Sequence, residues 1–110
     1  MITQEDAERA VMFIAKSAPD YAEAKAARRY LEEYRKSKKS ILRVQCTEGT
    51  VQDRDDYAYS HPEYKSLLED LRVAIEEEER LLYQMKAAEI KVEMWRSQEA
   101  TNRGQDRAAR

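Results

Sequence analysis

"SHPEYKSLLEDLRVAIEEEERLLYQMKAAEIKVEMWR", residues 60–96, is the stretch on which the fold turns. Pro62 suits a helix's first turn, Ser60 ahead of it is a good N-cap, and Glu63 three residues after the cap completes a capping box. From there Tyr64, Leu67, Leu68, Leu71, Ala74, Ile75, Leu81, Leu82, Met85, Ala88, Val92 and Trp95 recur at helical spacing. They form one broad apolar stripe, broken by Glu78 and Glu89. Nothing stops this helix before about Asn102, so it is a rod of roughly 60 Å.

Working outward, Thr3 caps a first, short helix with Asp6 in its first turn and Ala7, Ala10, Val11, Ile14 and Ala15 on one face, ending near Ser17. Pro19 and Asp20 then open a second helix that runs to about Gln45, roughly 39 Å long. In it Ala24, Ala27, Leu31, Tyr34, Lys38, Ile41 and Gln45 alternate steps of three and four, the seam of coiled-coil-like packing, interrupted by Lys38. Gly49 breaks the helix, with a helical turn from Thr50 to Ala58. The expected fold is all-α: a long antiparallel helical hairpin with a short N-terminal helix, one domain over residues 1–102. The tail "NRGQDRAAR", residues 102–110, has no large apolar side chain and is expected to be a flexible basic end over 103–110.

The two rods differ in length, which leaves the Met85 to Trp95 end of the stripe uncovered unless the first helix or another subunit packs on it. Leu81, Leu82, Met85, Val92 and Trp95 are therefore the expected homo-oligomer interface, with the tryptophan as an anchor.

Composition excludes much. Charged residues are 38% of the 110 and glycine and proline occur twice each, so tight hairpins and phosphate-cradling loops have little material. Cys46 is the only cysteine, which rules out an internal disulfide and fits a reducing cytoplasm. No apolar run approaches the roughly 18 residues of a membrane span, and the N-terminus lacks a signal peptide's basic start. The expected setting is the cytoplasm, without membrane contact. His61 precedes a proline at a helix start, where capping is its expected role. Glu76 to Glu79 point in four directions from a helix and cannot converge on one cation. No nucleophile elbow, convergent acid pair, metal set or cofactor loop is present, and an enzyme is not expected.

Charge, however, is polarised. Residues 1–19 carry about −1, 20–45 about +4, 46–80 about −7 and 81–110 about +2. On a helical wheel Lys25, Arg28, Arg35, Lys36, Lys39 and Arg43 fall in one band beside the apolar sector, with Tyr21 in the band and Glu32 as its one interruption. Positive charge repeated over about five turns suits a phosphate backbone, and aromatic rings among the basics can stack on unpaired bases. The alternative is a face paired with the chain's own acidic segment, "EEEER" at 76–80.

The succession "YLEEYRKSKKSIL", "YAYSHPEYKSLLEDL" and "KVEMWRSQEATNR" resembles small helical proteins from the recombination and replication regions of tailed phages. More distantly it is similar to the UvsY family of phage recombination mediators over about residues 25–103. The resemblance implies an oligomer in the bacterial host cytoplasm that binds single-stranded DNA and helps a recombinase displace single-strand-binding protein. The acidic total and the −7 segment depart from what a DNA-coating protein needs. A helical adaptor or inhibitor of a host nucleic-acid enzyme, without direct DNA binding, is the competing expectation.

Overall fold

A computed structural model describes residues 1–109, and these form three helices with no strand among them: α1 (Gln4–Gln45), α2 (Val51–Ser60) and α3 (Pro62–Ala109). The all-α hairpin is thus present. The single domain expected over 1–102 divides into two compact units, Met1–Ala22 with Glu79–Arg110, and Glu23–Glu78.

The first correction concerns Pro19, which lies inside α1 instead of opening a second helix. Proline removes one backbone hydrogen bond and crowds the preceding turn, a cost of about 3 kcal/mol in a helix interior. Side-chain burial along the same helix offsets it: Ala7, Ala10 and Ser17 are buried before the proline and Leu42 after it. Thr3 caps α1 as expected, its Oγ1 accepting from Asp6 N–H at 3.0 Å while Asp6 Oδ2 accepts from Thr3 N–H at 2.9 Å. The Thr3 N–H bond to the carboxylate, then the Thr3 hydroxyl and Arg9, hold the Asp6 carboxyl below its ordinary range.

In the unit of Met1–Ala22 and Glu79–Arg110, α1 contributes Ala7, Ala10, Ile14, Ser17 and Tyr21, and α3 contributes Leu81, Met85, Ala88, Val92 and Trp95, all buried or half-buried. Both sets step by three and four, the coiled-coil spacing. Small residues on α1 admit the large Met85 and Trp95. The segments run antiparallel, since Ile2 meets Gln98: its N–H donates to Gln98 Oε1 at 3.2 Å, and Gln98 Nε2 donates to the Ile2 carbonyl at 2.8 Å. The residues expected to be an oligomer interface, Leu81, Leu82, Met85, Val92 and Trp95, thus lie along this unit's own seam, with Leu81 buried and the other four half-buried. The overhang vanished because α1 is one helix of 42 residues. The tail differs as well: α3 continues through Ala109, with 101–109 exposed throughout, carried by the good helix formers arginine, glutamine and alanine past the weaker Thr101, Asn102, Gly104 and Asp106.

In the unit of Glu23–Glu78, Leu42 and Ala58 are wholly buried and cluster with Tyr64, joining all three helices. Here part of the seam is displaced by one residue from the expected line. Tyr34 and Ile41 are exposed, while Arg28, Leu31, Arg35, Lys38 and Leu42 turn inward. Adjacent residues sit about 100° apart on a helix, so Arg28, Arg35 and Leu42 replace Ala27, Tyr34 and Ile41, while Leu31 and Lys38 keep their expected places. Arg28 and Lys38 tolerate the inward position because their aliphatic stems pack while their charged ends find partners in Glu78 and Glu63, and the Arg35 stem packs with its charged end left to the surface.

The α1–α2 connection turns at Gly49, whose φ of 101° is the left-handed region that favours glycine. Thr50 then caps α2 through a capping box with Asp53, which holds the Asp53 carboxyl low. Ser60 does not cap α3; it ends α2, its hydroxyl donating to the Asp56 carbonyl at 2.6 Å. His61 takes that role, its Nδ1 accepting from Glu63 N–H at 3.1 Å, and Glu63 is free to pair with Lys38.

Candidate nucleic-acid interface

Steps of four along α1 put Arg35, Lys39 and Arg43 on one side of the helix, with Lys36 beside them. These four cations, Ser40, Tyr59 of α2 and Tyr64 of α3 line one cleft. Arg43 and Ser40 also border an adjoining depression with Val44 and Arg54. Lys39 Nζ sits 4.5 Å from the centre of the Tyr59 ring, a cation–π distance. Contact with Tyr59, and then the charge of Asp55, hold the Lys39 ammonium above its ordinary range, so it is charged at neutral pH.

Asp55 is the cleft's main counter-charge. Its Oδ1 is 3.1 Å from Arg43 Nε and 3.8 Å from Lys39 Nζ. Neither Arg43 Nε nor Asp55 Oδ1 is aligned for a hydrogen bond with any partner, so the attraction is that of charges in contact. Lys36 meets Glu33 at 3.3 Å on the open surface, a pair that contributes little. Of the five cations, Lys36, Lys39 and Arg43 meet these two carboxylates and Arg35 and Arg54 meet neither, so positive charge remains in excess.

The other two residues of the expected band have a different employment. Arg28 donates through Nε and Nη2 to the two oxygens of Glu78 at 2.6 and 3.0 Å, and through Nη1 to Glu32 at 3.0 Å. Glu78, expected to break the apolar stripe, is buried on it and satisfied by this bidentate pair. Arg28 holds the Glu78 carboxyl low, with Lys25 among the smaller contributors. Lys38, expected inside the apolar sector, reaches Glu63 at 2.7 Å. Tyr21 is half-buried on the seam of the other unit and takes no part in the cleft.

The structure therefore gathers Arg35, Lys36, Lys39 and Arg43 and diverts Lys25 and Arg28. Tyr59, Tyr64 and Arg54 complete the surface without having been singled out. Tyr59 and Arg54 lie in or beside the helical turn that follows Gly49, and only the packing of α2 through Ala58 brings them to α1. Among the described residues no group of acids, histidines and cysteine is arranged for a metal ion, and no helix is long and apolar enough to cross a membrane. No protein-family model, curated protein or solved structure matches the chain.

Proposed function

We propose that this protein binds single-stranded DNA through the cleft of Arg35, Lys36, Lys39 and Arg43, as an oligomeric accessory protein of phage-type recombination or replication. The observation that carries the reading is the convergence of four cations of one helix with Tyr59 and Tyr64 in a single cleft. Guanidinium and ammonium groups neutralise successive phosphates, and the half-exposed Tyr59 ring offers a face on which an unpaired base stacks. A recombinase or a single-strand-binding protein is the partner such an accessory protein would meet on the strand.

Fluorescence anisotropy with a labelled oligothymidylate across a salt series tests the reading. Binding that weakens with a log–log slope of about −2 to −3, roughly 0.7 per neutralised phosphate, is expected. Absence of binding at low salt sinks it. In that case the competing reading holds, a helical adaptor or inhibitor acting on a host nucleic-acid enzyme. The observation favouring that reading is the internal pairing of Arg28 with Glu78 and of Lys38 with Glu63, which withdraws positive charge from the surface.

A further inference from the structure

On α3, on the side away from its buried seam, Tyr83, Ala87, Ile90, Met94 and Ser97 form a second row that also alternates steps of four and three. Tyr83, Ile90 and Met94 are 62%, 59% and 51% exposed, and Ala87 and Ser97 are exposed too. A solvated helix face has no need of heptad-spaced apolar residues, and a row of this kind is the seam of a two-stranded pairing.

The charges beside the row choose its occupant and its direction. Lys86 and Glu93 flank one side, Gln84 and Lys91 the other. Were two copies of this helix to pair in parallel, Lys86 would face Lys91 of the second copy, a like-charge contact. Antiparallel pairing sets Lys86 against Glu93 of the second copy, twice by symmetry, and Gln84 against Lys91. The core layers then match by size. Ala87 meets Ile90 of the second copy, and Tyr83 meets Met94. Glu93 already touches Arg96 of its own helix at 3.1 Å, but both are exposed and such a pair is too weak to withhold the carboxylate.

We infer that the outward row Tyr83–Ala87–Ile90–Met94 of α3 is a self-complementary docking face for a second copy of this chain, paired antiparallel about a two-fold axis near Ala88 and Glu89. It deepens the oligomer of the preceding reading and rests on that part alone, because the DNA cleft belongs to the other unit. Four apolar layers make a short interface, so the pair is weak, with a Kd on the order of 10–100 μM.

Sedimentation equilibrium of the full chain, without DNA, up to about 0.5 mM is the test, that limit exceeding the expected Kd several-fold. The wild-type chain sediments as a monomer–dimer mixture. Ile90→Asp raises the dimer Kd by more than about tenfold, since a carboxylate then enters the layer opposite Ala87. Its far-UV circular dichroism is unchanged, because the position is exposed within one copy. Lys86→Glu also weakens the dimer, and adding Glu93→Lys restores it. A monomer at every concentration overturns the inference and leaves the row to a foreign helix. So does an Ile90→Asp variant that dimerises normally. A Lys86→Glu variant that dimerises more tightly overturns the antiparallel pairing, because parallel strands would set that glutamate against Lys91. Oligonucleotide binding by Arg35→Gln is read separately, so failure of the dimer and failure of the DNA reading are told apart.

Discussion

Arg28 and Glu78, fifty residues apart in sequence, meet as a bidentate pair with Nε–Oε2 at 2.6 Å and Nη2–Oε1 at 3.0 Å. The glutamate is 8% exposed and sits where the α3 stripe would otherwise be continuous. Each partner makes the other's position tolerable, so removing one is costlier than removing both. Glu78→Leu alone is expected to lower Tm by roughly 5 °C, and Glu78→Leu with Arg28→Leu to recover most of the loss. Thermal unfolding of the wild-type chain and these two variants checks this. Equal losses in the single and double variants would contradict it.

The same pair contributes to the acid response. Arg28 holds the Glu78 carboxyl below its usual value near 4.5, and Lys38 likewise lowers Glu63. A group whose folded pKa is depressed stabilises fully above its unfolded value and loses that contribution as pH falls through the folded one. Tm should therefore hold steady from neutral pH down to about 5 and fall progressively below about 4.5. Glu78→Gln should start lower at neutral pH and fall less steeply on acidification. A parallel decline in both proteins would show that Glu78 is not among the groups responsible.

Leu42 is wholly buried against Ala58 and Tyr64, where α1, α2 and α3 come together. Leu42→Ala should cost about 2–5 kcal/mol in urea unfolding, because the residues around the cavity cannot all collapse into it. Loss of α2 would carry Asp55 and Tyr59 away from the cleft. A cost below about 1 kcal/mol would mean that this three-way contact contributes little.

Pro19→Ala distinguishes one α1 helix from two. Within a continuous helix the substitution restores a donor to the carbonyl four residues earlier and relieves the ring's crowding. It should stabilise the protein by about 1–3 kcal/mol. At the start of a separate helix proline is already favourable, and the substitution would then be neutral or harmful.

Asp55 neutralises Lys39 and Arg43 in the cleft. Asp55→Asn should tighten oligonucleotide binding several-fold and steepen its salt slope by up to about 1.4, two released cations at roughly 0.7 each. Arg35, which has no ion pair among the described residues, should lose about 0.7 of slope on Arg35→Gln with only a small change in Tm, since glutamine keeps most of the packed stem. Unaltered salt slopes in both variants would place any DNA contact elsewhere on the molecule.

Much of the helix framework is local in origin and was legible. Thr3 with Asp6, Gly49, and proline ahead of the Tyr64–Leu67–Leu71 spacing act within a turn or two of themselves, so the sequence by itself determined where α1 and α3 begin and where α1 gives way. The basic face of α1 was equally local, a consequence of residue spacing on a helix. Tertiary structure decided which row of that helix turns inward. Ala27 and Ile41 are the more apolar choice, yet Arg28 and Leu42 take the seam, because Arg28 meets Glu78 there and Leu42 meets Ala58. Tertiary burial also decided that α1 passes unbroken through Pro19, since a local penalty of about 3 kcal/mol is outweighed by side-chain burial along the whole helix. A periodic pattern fixes that a helix has a face, but adjacent rows differ by only 100° of rotation, and the partner's charges and volumes select between them.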